Sequence, residues 1–252
     1  MSQLRALIFD VDGTLADTER DGHRVAFNRA FEEAGLDWEW SVELYGELLS
    51  VAGGKERIRF YQKQYCPDVP LHDDAIVAEL HAIKTKHYRD LLTEGAIPLR
   101  PGVKRLIAEA RERELRLAIA TTSALPNVIA LLERNLDPSW FKAIAAGDVV
   151  PAKKPAPDIY HYLLKEMNLE AADCLVVEDS HHGLVAANLA GLPTIVTFNN
   201  YTEGQDFSLA RLVVNHLGEP ELPCTVVGGN TLDISYLDIE TLNQLHGSRQ
   251  VD

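Results

Sequence analysis

Near the start of the chain Ala6, Leu7, Ile8 and Phe9 follow one another without a polar break. Such a run predicts a short strand covered on both faces of a parallel sheet. Similar runs recur at 115–120, 143–146, 174–177 and 194–197, with a shorter one at 212–214. Between them the period changes to that of an amphipathic helix. Val103, Leu106, Ile107 and Ala110 follow Pro101, and Ile159, Tyr160, Leu163, Leu164 and Met167 follow Pro157. The alternation predicts right-handed βαβ units in an α/β fold with an open, Rossmann-like parallel sheet. The stretch from about 18 to 96 breaks it. There Phe27, Phe31 and Ala34 mark a helix ending near Gly35, and a second helical pattern runs from about 73 to 92. These patterns predict an all-helical insertion over 18–96 in a sheet domain made of 1–17 and 97–252. The tail after Cys224 adds an expected strand and a helix through Ile239, Leu242 and Leu245.

Composition narrows the partners more than the fold. Lysine and arginine number 24 against 38 acids, a net charge of −14. Such a surface repels nucleic acid and anionic membrane, so neither is expected as a partner. Any handling of phosphate must then rest on locally concentrated positive charge, from side chains or a metal. Cys66, Cys174 and Cys224 are scattered and odd in number, which reads as reduced thiols. No apolar stretch approaches the roughly 20 residues of a membrane span. The chain opens almost at once on a strand, with no signal-like segment. The expectation is a cytoplasmic monomer, or a protein of the plastid stroma if a leader has been removed.

In an open α/β sheet, ligands sit beyond the carboxyl ends of the strands. After the first run stand Asp10, Val11, Asp12, Gly13 and Thr14; after the second, Thr121, Thr122 and Ser123. After the third come Gly147 and Asp148, and shortly Lys153 and Lys154; after the fourth, Glu178, Asp179 and Ser180. Clustered carboxylates suit Mg²⁺, a hard cation that prefers oxygen ligands. With Thr121 and Lys154 added, the set meets the needs of phosphoryl transfer. Asp10 is the expected nucleophile and Asp12 the general acid and base. Lys154 and Thr121 would steady the transferred group, while Asp10 and Asp179 hold the metal. Glu178 is either a direct ligand or one step behind it. Taken singly, each residue has a plainer reading: Asp in a turn, Ser123 capping the next helix, Lys154 as a solvated lysine. Their order along the chain lifts the others above these, while Ser123 keeps the reading of a helix cap.

Asp10-x-Asp12-Gly13-Thr14, Thr121, Lys154 and Glu178-Asp179 resemble, in order, the four motifs of the haloacid-dehalogenase-like (HAD) phosphatases. The resemblance covers nearly the whole chain and likens the insertion to that superfamily's helical C1 cap. It implies Asp10 as nucleophile, Asp12 as acid/base with its backbone carbonyl on the metal, and Asp179 as a metal ligand. Within the superfamily the chain is most similar to the CbbY group of sugar-phosphate phosphatases. That likeness rests on the segment from Phe9 to Glu19, on Gly53-Gly54-Lys55-Glu56-Arg57-Ile58, on Leu99-Arg100-Pro101-Gly102, and on Lys153 to Tyr160. It implies Mg²⁺-dependent hydrolysis of xylulose-1,5-bisphosphate, an inhibitor of the carbon-fixing carboxylase, to xylulose-5-phosphate. Gly53 and Gly54 would let backbone approach the substrate, and Lys55 and Arg57 would hold the phosphate that is not cleaved. Arg100, Asp17, Tyr45, Thr122 and His23 complete the expected substrate contacts. Asp17 stands where some relatives carry Glu, and His23 lies one residue further along than the corresponding His of related phosphomutases. Trp38 and Trp40 are expected to pack the insertion's helices. The competing reading is a sugar phosphomutase using the same aspartate chemistry; a haloacid dehalogenase would have no use for the full set.

Overall fold

A computed structural model describes residues 3–51, 54–67, 71–230 and 232–247. Among them the chain divides into two compact units, Met1–Asp17 with Pro98–Asp252, and Thr18–Ile97.

The first unit is built on one sheet. Its strands are β1 (Ala6–Phe9), β2 (Arg116–Thr121), β3 (Phe141–Ala146), β4 (Cys174–Glu178), β5 (Thr194–Thr197), β6 (Leu212–Val214) and β7 (Val226–Gly229). They lie in the order β3-β2-β1-β4-β5-β6-β7. All neighbours run parallel except β6 and β7. The order reverses at β1, between β2 and β4, and a crevice opens at such a switch point.

Alternation along the strands sends successive side chains to opposite faces. Ala6 and Ile8, Ala118 and Ala120, and Cys174 and Val176 share one core cluster with Ile159, Tyr160, Leu163 and Ala186. That face is covered by the helices Asp158–Met167 and His181–Leu189. Leu7, Phe9, Leu117 and Ile119 are equally buried and point the other way. There the helix Val103–Glu112 packs on β2, and the C-terminal helix Ile239–Gly247 packs on it and on β4. Both faces are dry, which is why the strands read as unbroken apolar runs.

The second unit holds a wide helical turn (Thr18–His23) that runs into α1 (Arg24–Glu33), then α2 (Val42–Leu48), α3 (Gly54–Tyr65) and α4 (Asp74–Glu94). Ser41 and Asp73 cap α2 and α4 by accepting from Leu44 N and Ile76 N. Its core is aromatic: Trp40 lies 4.6 Å from Phe27, 4.9 Å from Phe31 and 5.9 Å from Tyr45, centroid to centroid. Trp38 and Tyr61 extend the stack, so the tryptophans do pack the helices, as expected. Within the expected all-helical insertion the apolar pattern marks two helices, and α2 and α3 join them.

Gly102 starts the helix Val103–Glu112 at φ +85°, and a Cβ there would stand 2.5 Å from the Gly218 carbonyl oxygen. Both the dihedral and the contact exclude a side chain. Gly102→Ala is expected to lower stability by about 1–3 kcal/mol, read as a drop in the denaturation midpoint. An unchanged midpoint would show that this junction tolerates a methyl group.

Candidate active site

The strand register assembles the site. Phe9 pairs with Ile119 on one side and Val177 on the other. The residues just beyond, Asp10, Ala120-Thr121 and Glu178-Asp179, therefore emerge side by side at the carboxyl edge. The Asp10 amide continues the ladder, donating to Val177 O at 3.0 Å. Lys154 returns from the segment after β3 and places its ammonium in the middle. Its Nζ donates to Asp10 Oδ1 at 2.7 Å, Glu178 Oε1 at 2.5 Å and Ala120 O at 2.8 Å. The Tyr160 hydroxyl donates to the same Glu178 oxygen at 2.6 Å. Glu178 is fully buried, packed so closely on Gly183 that a Cβ there would run into its carboxylate.

Oxygens of Asp10, Glu178 and Asp179 lie within 4.8 Å of one another, all buried. Against them stands a single lysine. Burial, reinforced by Glu178 and Asp12, pushes the Asp10 carboxyl up to about 8 even with Lys154 beside it. Asp179 is raised well above the ordinary carboxylate range by burial and then by Asp10 and Glu178. Burial works against the charge of Lys154, but Asp10 and Glu178 outweigh it and hold the ammonium protonated. A cluster of hard oxygen donors carrying this excess of negative charge fits a divalent cation such as Mg²⁺.

Asp12 is turned away from that cluster. Its Oδ2 accepts from Ser123 Oγ at 2.5 Å and Thr121 Oγ1 at 3.4 Å. Ser123 was expected to cap the following helix, but that helix starts at Leu125 after Ala124 with no side-chain cap. Its hydroxyl is drawn to the carboxylate instead, the stronger acceptor. Thr122 is exposed beside them.

Two expected substrate contacts are overturned. The Arg100 guanidinium is buried and spends its terminal N–H groups within its own unit. One terminal nitrogen donates to the carbonyls of Gly13 and Thr197, and the other to those of Phe198 and Asn215. Nε sits 3.3 Å from Asp17 Oδ1. With its terminal donors engaged on carbonyls and Nε facing Asp17 in an ion pair, the guanidinium is taken up within its own unit instead of being offered to a phosphate.

In the second unit Tyr45 donates to Glu19 Oε2 at 2.6 Å and accepts from Arg57 at 2.8 Å. Arg57 also donates to Leu48 O and Val51 O, so three of its five N–H groups are spent. Gly53 lies outside the described residues. Gly54 is close-packed by a side chain, since a Cβ there would meet the His81 ring at 2.6 Å. Lys55 is exposed. His23 stacks on Tyr88 at 3.8 Å and accepts from Lys84 Nζ at 2.7 Å.

Sequence reasoning missed Lys84 and Asn199. Lys84 sits in α4 with no motif around it, and burial, only partly offset by Glu19, lowers it to about 8. Asn199 donates to Asp179 Oδ2 at 2.7 Å. It stands two residues past the end of β5, and that strand-end position, shared with Asp10, Thr121 and Asp179, is the signal that marks it.

The profile of the haloacid dehalogenase-like hydrolases matches residues 4–191. CbbY from the plasmid of Cupriavidus necator is 49% identical over 225 residues, 87% of this chain and 88% of that protein. The crystal structure of CbbY from Rhodobacter sphaeroides with phosphate has a TM-score of 0.70 at 43% identity, covering 84% of this chain and 94% of that one. A variant of that protein has been solved with xylulose-(1,5)bisphosphate, at 42% identity, the same TM-score of 0.70 and the same coverage. With its sheet, its strand-end carboxylates and these relatives in agreement, the chain belongs to the haloacid dehalogenase-like hydrolases, as a phosphatase-type enzyme of the CbbY group.

Proposed function

We propose that the protein is a Mg²⁺-dependent sugar-phosphate phosphatase that works through an aspartyl phosphate on Asp10, with xylulose-1,5-bisphosphate as substrate. The observation that carries the reading is the set Asp10, Lys154, Glu178 and Asp179 at the switch point of the sheet. The substrate is taken from the R. sphaeroides relative, which binds that bisphosphate.

Asp10 attacks phosphorus, and the ester bond to the sugar oxygen breaks. Asp12 gives that oxygen its proton, then takes one from the water that attacks the acyl phosphate and releases inorganic phosphate. The hydroxyls of Thr121 and Ser123 hold the Asp12 carboxyl for both transfers. Lys154 keeps Asp10 oriented and adds fixed positive charge for the transferred group. Asp10 and Asp179, with the Asp12 carbonyl and Glu178 beside them, would hold Mg²⁺, which would supply the positive charge that lets one anion approach another. The inserted unit is read as the C1 cap. It carries a basic set suited to a second phosphate: exposed Lys55, Arg57, and Lys84, buried against His23 with Glu19 as the nearby acid.

Three measurements test this. Purified protein with Mg²⁺ is expected to release phosphate from xylulose-1,5-bisphosphate with a kcat/KM far above that for ribulose-1,5-bisphosphate; isomerised product without release would mark a phosphomutase instead. Asp10→Asn is expected to lower kcat by roughly a thousandfold or more, and a variant of near wild-type activity would remove Asp10 as nucleophile. The third is pH dependence without metal. The folded protein keeps a proton on Asp10 up to about 8, against an ordinary value of 3.8. It thus holds more protons than the unfolded chain across that window, and Asp179 acts in the same sense. Stability in chelator should fall as pH rises through the window, and Mg²⁺, which takes the proton's place, should stabilise more at the upper end. A melting temperature in chelator that climbs from about pH 5 to about pH 8 would contradict this account of the cluster.

A further inference from the structure

We propose that Arg100 is a positioning residue for the nucleophile loop: by holding the Gly13 carbonyl against the ends of β5 and β6, its guanidinium fixes the Asp10–Asp12 segment for phosphoryl transfer. The inference rests on the phosphatase reading above.

Where parallel strands end, the last carbonyls lose their ladder partners, and buried ones must find other donors. Thr197 closes β5, Phe198 comes next, and Asn215 stands just after β6. Arg100 serves all three, at 2.7 Å, 2.6 Å and 2.6 Å, with Thr197 Oγ1 at 3.2 Å as a further acceptor. The same fork reaches Gly13 O, inside the turn that carries the two aspartates. A rigid planar fork can bind several fixed acceptors at once, which an ammonium on a flexible stem cannot.

Gly13 is where such a hold matters. It sits at φ +84°, and a Cβ there would run into Asp179 Oδ2 and lie 2.5 Å from Asn199 Nδ2. Asn199 Nδ2 bonds Asp179 at 2.7 Å and reaches Gly13 O at 3.5 Å. A shift of the Gly13 peptide therefore moves Asp12 on one side and presses on Asp179 on the other. Arg100 also ties in the two segments flanking the insertion. Its backbone N–H donates to Leu15 O at 2.8 Å, Leu99 bridges to Ala16, and Asp17 pairs with Nε. The sequence places Arg100 87 residues from Gly13, yet it is part of that turn's support.

The test uses the full chain with Mg²⁺ and p-nitrophenyl phosphate, whose single phosphate makes no demand on a second anion site. Turnover by the wild type checks the phosphatase reading; the variants, measured against it, check Arg100. Arg100→Lys is expected to lower kcat by roughly ten- to a hundredfold while KM stays within about twofold, in protein with a wild-type circular dichroism spectrum. Arg100→Ala, folded in the presence of guanidinium, should lose activity on dilution before it loses ellipticity. It should regain that activity on re-addition of guanidinium and not of sodium at equal ionic strength. A folded Arg100→Lys with kcat within about twofold of wild type would overturn the proposal. So would activity and ellipticity lost together on dilution of Arg100→Ala, for then the residue serves the fold alone.

Discussion

One lysine among four carboxylates is the constraint on which the first unit is built. Lys154 touches Asp10 and Glu178 directly, while Asp12 and Asp179 beside them bond to neutral donors. Water would screen such a cluster, but the parallel sheet with its two helical layers keeps water from most of it. The surroundings are shaped to bear the charge. Tyr160 lends a hydroxyl to Glu178, Asn199 an amide to Asp179, and two hydroxyls close on Asp12. The helix His181–Leu189 gives up a side chain at Gly183 so that the Glu178 carboxylate fits against it. What these neutral donors leave over is met by protons on Asp10 and Asp179, or by a divalent cation. A site poised between protons and metal suits the nucleophile proposed for Asp10, since a cation that displaced the proton would also bare the attacking oxygen.

The sheet and its catalytic edge were legible because both are local in the sequence. Ala6–Phe9, Thr194–Thr197 and Leu212–Val214 are strands at the bounds their apolar runs suggest. A strand buried on both faces has no other composition open to it. Each motif comes directly after its strand, so placing the strand places Asp10, Thr121 and Asp179. Lys154 depends on a longer loop and needed the order of the other motifs to stand out. The long helix expected near 73–92 is found at Asp74–Glu94, framed by its Asp73 cap and by Gly95 in the left-handed conformation.

What the sequence hid were choices among partners. An arginine beside the return from an insertion suggests a phosphate ligand by type. Its actual partners are carbonyls at Gly13, Thr197, Phe198 and Asn215, which no pattern ties to position 100. Asp17 was misjudged with it, since a carboxylate pairs with the nearest buried cation. Ser123 has a helix just ahead and a carboxylate at hand, and the charge decides. Lys84 carries no signal at all, because a lysine in a helix is ordinarily solvated. Only the packing of Phe27 and Tyr88 about its ammonium makes it unusual.

The two units thus solve opposite electrostatic problems. The first gathers carboxylates and needs positive charge. In the second, Arg57, Lys84 and His81 gather within an aromatic core, with Glu19 as the nearby acid, and burial pulls both Lys84 and His81 below their ordinary values. Charge buried without a full counter-charge is a standing cost to each unit. On the proposed reading it is relieved in the first by a cation and in the second by an anion. The chain's surplus of acid elsewhere sharpens the point, because with a net charge of −14 the whole molecule offers a phosphate few other places to bind. On the proposed reading, selectivity for a phosphorylated substrate needs no large binding surface; it follows from the unbalanced charge within each unit, acidic in the first and basic in the second.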